Sequence, residues 1–153
     1  MAADPDIGIN LHLERRGDEI PRRGATFDVA RAARLTGELA DPGEQRLWRG
    51  ILAILGNDPV TAIRTLRSGG ARQSQSHAKA LGVAYYLARQ YLLFRDQMAE
   101  AMRVDAGDFG PYYFLGRHYD ADLDNCEEAA RWFGEALARN PGYARARAHL
   151  GSC

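Results

Sequence analysis

The sequence is short of several things, and each shortage removes a class of protein. It has two cysteines, Cys126 and Cys153. Their number and spacing make no CxxC pair, zinc ligand set or disulfide framework, so both are expected as free thiols. Lys79 is the only lysine; every other basic side chain is arginine. With abundant alanine and glycine, this points to a GC-rich bacterial genome. Basic and acidic residues balance at 20 each, so no net field draws the chain to nucleic acid, and no nucleic-acid partner is expected. No apolar run approaches the ~20 residues that cross a bilayer, so membrane insertion is not expected. The first ten residues, MAADPDIGIN, lack the basic start and apolar stretch of a secretory signal. The expectation is therefore a cytoplasmic protein, or a periplasmic one if a signal sequence has been removed.

Chemistry-bearing motifs are also scarce. There is no GxSxG, P-loop or GxGxxG. His12, His77, His118 and His149 are scattered, with no HxxxH or HExxH spacing to set two on one helical face. No catalytic residue, metal site or cofactor is expected. The run from Asp120 to Asn125 has the alternating carboxylates of a calcium loop. The sixth and twelfth positions of such a loop need Gly and Glu, and here they hold Asn125 and Arg131. The run reads instead as a turn, with Asp124 capping the next helix.

What the chain does have is helix punctuation. Asp4-Pro5, Asp41-Pro42, Asp58-Pro59 and Asn140-Pro141 each place an Asx cap before a proline that has no N–H to lose, and each reads as a helix start. Asp41 with Glu44, and Asp124 with Glu127, have capping-box spacing. Gly17, Gly37, Gly56, Gly69-Gly70 and Gly107 mark stops. Between these marks apolar residues recur three and four apart, as in Leu47, Ile51 and Leu55, and nothing alternates as a strand would. The reading is all-α: roughly nine helices joined by short turns, antiparallel to their neighbours. Hydrophobic residues make up 46% of the chain, enough to fill a core.

Self-comparison gives a repeat. Leu81, Gly82 and Tyr85 recur as Leu115, Gly116 and Tyr119, at a spacing of 34. Phe94, Met98, Ala101 and Gly107 then recur as Ala129, Phe133, Ala136 and Gly142, at a spacing of 35. One residue inserted between Tyr119 and Ala129 accounts for both spacings. Upstream, Gly50, Ala62 and Leu66 align with the same unit at a spacing of 32. The repeat phase places a bend near Arg89–Tyr91, where no Gly, Pro, Asn or Asp supports it.

The segment from Tyr112 to Pro141 resembles the tetratricopeptide repeat. It carries an aromatic, Leu-Gly and Tyr on its first helix (Tyr112, Leu115-Gly116, Tyr119). On its second it carries Ala, an aromatic and Ala, closing on proline (Ala129, Phe133, Ala136, Pro141). Residues 75–107 fit more loosely, residues 44–70 more loosely still, and residues 143–153 open a truncated unit. Residues 1–40 read as a degenerate helical hairpin ahead of this array. The resemblance implies a right-handed solenoid of antiparallel helical hairpins, and a non-catalytic scaffold or adaptor that holds a protein or peptide in a concave groove. In such a groove the first helices would present Lys79, Val83 and Tyr86, then Tyr113, Arg117 and Asp120, then Arg145 and His149. Lys79, Arg145 and His149 fall on positions of the basic clamp that some family members close on a carboxylate. The two Asn positions of that clamp hold Val83 and Phe114, so the ligand class implied is broader: an acidic or extended peptide.

Two other readings stand beside this one: the N-terminal docking module of a longer enzyme, and a helical-repeat RNA binder. Zero net charge and the Ala/Phe/Ala/Pro signature count against the second. The last helix lacks its hairpin partner, so Ala146 and Leu150 are expected at the surface. Either the native chain continues past Cys153, or it self-associates through this helix.

Overall fold

The structure, a computed structural model, describes residues 29–68 and 74–152. Most of the degenerate hairpin expected at 1–40, with the Asp4-Pro5 helix start, lies outside them. The described residues form eight helices and no strand: α1 (Val29–Glu38), α2 (Pro42–Leu55), α3 (Pro59–Arg67), α4 (Gln75–Leu87), α5 (Tyr91–Val104), α6 (Gly110–Ala121), α7 (Cys126–Arg139) and α8 (Ala144–Ser152). The chain divides into two compact units, residues 1–97 and 98–153, with the division falling inside α5.

The caps explain where the first helices begin. The Asp41 carboxylate accepts from the N–H groups of Gly43 and Glu44 at the head of α2, and Asp58 accepts from the Thr61 N–H at the head of α3. Hydrogen bonds from Thr61, with a smaller push from the Arg64 charge, hold the Asp58 carboxyl below the usual carboxylate range. Ser74 caps α4 in the same manner, accepting from the His77 N–H. Two expected caps move. Asn125, not Asp124, caps α7 and accepts from the Glu128 N–H, while Asp124 sits in the bend at φ 50°. Asn140 ends α7 rather than starting a helix, and α8 begins only at Ala144, after a turn.

The bends are a backbone repeat. After α2 the N–H of Asn57 donates to the Ile54 carbonyl and that of Asp58 to the Ala53 carbonyl. After α4, Arg89 donates to Tyr86 and Gln90 to Tyr85. This is the Schellman arrangement, which needs a left-handed residue just past the helix; Asn57 and Arg89 supply it at φ 58° and 59°. The bend expected from repeat phase alone is therefore present, with an arginine where glycine is usual. After α6 the closing bond runs from the Asn125 N–H to the Tyr119 carbonyl, and Asp124 takes the positive φ. That ring spans one residue more than its counterparts, which puts the insertion between Tyr119 and Asn125.

In the first unit α2 packs against α1, α3 and α4, and α3 also packs against α4. A β-carbon on Gly50 would lie 2.5 Å from Leu66 side-chain carbons, so this glycine lets α2 and α3 touch. Ile51, Ile54, Ala62 and Leu66 fill the space between them and are buried. In the second unit α7 packs against α6 and α8. Gly116 plays the part of Gly50 here: a β-carbon on it would lie 2.6 Å from the Phe133 ring. Phe133, Ala129, Ala136 and Ala146 are fully buried. Ala146, expected at the surface, is thus covered by the packing of α8 on α7, while Leu150 remains exposed. Cys126 is disulfide-bonded, against the expectation of a free thiol; the only other cysteine, Cys153, lies outside the described residues.

Candidate functional site

The eight residues expected to line a groove separate by burial. Lys79 and Val83 are buried in α4, at 2% and 0% exposure. Every residue from Ala78 to Tyr85 is buried, because α4 has α2 and α3 against it and no face of these turns is left to solvent. Tyr86, one position further on, is half-buried. Its ring lies 5.5 Å from Tyr91 and 5.2 Å edge-on from Phe94, across the bend at Arg89.

Tyr113 is also interior, at 3% exposure. Its ring stands edge-on to Phe133 (5.9 Å) and to Tyr143 (5.0 Å), with Phe114 and His149 near 6 Å. The helical period suggests one inward ring in each tyrosine pair. This holds for Tyr85 and Tyr86, but Tyr112 and Tyr113 are both buried. The turn after α7 explains the exception: it brings Tyr143 edge-on to Tyr113, and Phe109 lies tilted against the same Tyr143, with centroids 4.7 Å apart.

Arg117, Asp120, Arg145 and His149 reach solvent in part, and three of them converge. Arg117 Nη1 donates to Tyr113 Oη at 3.3 Å and lies 3.4 Å from His149 Nε2. A guanidinium has only donors, so Nε2 must accept, and the ring proton then resides on Nδ1. Nδ1 faces Asp120 Oδ2 at 3.8 Å. The imidazole plane lies flat on Phe133, with centroids 5.3 Å apart at 13°. Residues from α6 and α8 thus meet over a floor of Phe133 and Tyr113: Arg117 donates to Tyr113 and His149, and Asp120 lies across the imidazole from Arg117 at a distance too long for a direct hydrogen bond. Arg145 belongs to the same helix as His149, one turn earlier, and is half-buried. Arg117, Asp120 and His149 are among the residues that the tetratricopeptide resemblance implied for a groove; the aromatic floor beneath them depends on Tyr143, which no motif marks.

The three carboxylates of the calcium-like run diverge. Asp120 faces His149, Asp122 meets the Nδ1 of the buried His118 at 3.1 Å, and Asp124 sits in the bend. No described helix is long and apolar enough to cross a membrane.

No protein-family model matches the chain, and no curated protein matches it. Among solved structures it is similar to MamA. One MamA crystal structure superposes over 99% of this chain and 83% of its own, at TM-score 0.65 and 20% identity. A second covers 95% of this chain and 76% of its own, at TM-score 0.63 and 23% identity. With the all-helical architecture of the described residues, this likeness shows that the chain has a helical-repeat fold.

Proposed function

We propose that the chain is a non-catalytic scaffold or adaptor, and that it holds a protein or peptide segment against the polar face made by α6 and α8. The observation that carries this reading is the cluster of Arg117, His149 and Asp120, part-exposed and packed on Phe133 and Tyr113. Binding groups fixed in advance lose little conformational entropy when a ligand arrives. Arg117 offers further donors to a carboxylate or a backbone carbonyl, and Asp120 offers an acceptor to a peptide N–H. A ligand with both groups, an extended or acidic peptide, fits this pattern. Tyr113, buried under the imidazole of His149, supports the surface from within rather than touching the ligand, and the buried Lys79 and Val83 of α4 are not part of it. The helical-repeat likeness to MamA supports a scaffold over an enzyme, since such folds present surfaces rather than reaction centres.

Selection of peptides from a displayed library on the purified chain, followed by titration of the winners, tests the proposal. Arg117→Ala combined with Asp120→Ala should weaken the selected peptides about tenfold or more, with helicity and melting unchanged. Saturable peptides that ignore this double variant would remove the α6–α8 face from the account.

A further inference from the structure

A second surface lies on the first unit, on the outer side of α3. The outer side of α3 borders a cleft of about 610 Å³ lined by Val60, Ile63, Arg64, Arg67, Ser68 and Gln90. Val60 is 68% exposed, and Leu92, two residues past Gln90, is 72% exposed. Isolated exposed apolar side chains are ordinary. These two are not random in position. The bends align Asn57 with Arg89 and Asp124, so Val60, Leu92 and Glu127 occupy one register, three residues past the bend. Thr61, Leu93 and Glu128 occupy the next. In α7 the helix dipole has its usual complement, two glutamates in the first turn. In α3 and α5 the same turn holds no acidic residue. The repeat therefore folds with charge at this register, and the first two hairpins expose aliphatic surface there instead.

The other half of the surface is charge. Arg64 and Arg67 stand one turn apart at the end of α3, both exposed. Neither makes an ion pair among the described residues. The nearest acid on this helix, Asp58, is engaged by the Thr61 N–H. The dipole accounts for basic residues in a last turn; it does not account for the aliphatic groups and the cleft beside them.

We infer that this α3 cleft docks an acidic segment of another protein, one bulky aliphatic side chain entering between Val60 and Ile63 while neighbouring carboxylates meet Arg64 and Arg67. Two guanidiniums spaced by one helical turn can each take a carboxylate bidentately, which gives register as well as attraction. A protein segment fits better than an anionic bilayer. The basic residues that line the depression number two, and exposed Asp96 lies on the same α5 that carries Leu92, which is too little positive charge to favour an anionic bilayer. This surface is independent of the α6–α8 face, and neither stands or falls with the other.

The test uses the full chain and a fluorescein-labelled peptide with one leucine flanked on each side by two glutamates, read by anisotropy. Saturable binding that weakens with salt is expected. It should weaken about tenfold or more in Arg64→Gln combined with Arg67→Gln, and comparably in Val60→Asp. All three side chains are exposed, so helicity and melting should not change. A peptide with serine for leucine, and one with lysine for glutamate, should bind much less. Absent binding, equal binding of the lysine peptide, or indifference to these substitutions would each overturn the proposal. So would co-sedimentation with phosphatidylserine vesicles that the same substitutions abolish, because the surface would then read lipid.

Discussion

Arg89 turns its hairpin at φ 59°, a conformation that costs an L residue about 1–2 kcal/mol and glycine almost nothing. Arg89→Gly should therefore raise stability by about 1 kcal/mol, and Arg89→Val should lower it, both read from denaturant midpoints. Matching midpoints for both variants would mean the bend does not hold its residue left-handed. His77 is a second residue with a measurable signature. Burial, reinforced by the Arg46 charge, holds its imidazole below the ordinary histidine range. The unfolded chain then takes up the proton first as pH falls. Stability from this residue is complete above about pH 6.5 and is lost as pH drops through the lower folded value. His77→Gln should flatten the slope of melting temperature against pH between about 7 and 5. A slope that survives the substitution would belong to other groups.

Two glycines inside helices make opposite predictions. Gly116 faces the Phe133 ring, and a β-carbon there would approach it to 2.6 Å, while a β-carbon on Gly134 would meet nothing within 4 Å. Alanine gains about 1 kcal/mol over glycine in a helix interior. At Gly134 that gain is unopposed, so Gly134→Ala should stabilise by about 0.5–1 kcal/mol. At Gly116 the ring must move, and overpacking of this kind costs about 1–3 kcal/mol; the net effect of Gly116→Ala should be a loss. Thermal melts that rank the two the other way would undo the α6–α7 packing described above. The sequence made Gly116 legible because it recurs beside leucine at repeat spacing. Gly134 recurs nowhere, and nothing in its neighbours separates it from a glycine that packing requires. The α7 cap was misplaced for a related reason: Asp124 and Asn125 are both good caps, and only the path of the bend decides between them.

At the scale of the whole molecule, repeat phase agrees among the described residues with the bend at Arg89 and with the place of the inserted residue, since both follow from spacing. Burial at the site was less legible. Lys79, Val83 and Tyr113 take their environment from other helices and from Tyr143, and one helix's periodicity carries no record of what packs on its second face. The disulfide at Cys126 escaped as well, because cysteine spacing in a sequence carries no record of spatial approach. Cys126→Ser should lower unfolding free energy by about 2–4 kcal/mol under oxidising conditions. Reductant added to the unsubstituted chain should bring it to the same level. Coincident melts with and without reductant would show that the cross-link constrains nothing.

The three bends share one more property. Each is closed by main-chain bonds, from Asp58 to Ala53, from Gln90 to Tyr85 and from Asn125 to Tyr119, and the last encloses an additional residue while its helices still pair. Hairpin register is thus kept by the helices on either side, and the ring between them can lengthen. The α6–α7 bend is accordingly a natural splice point, where a short guest sequence could be carried without changing the phase of the hairpin that bears it.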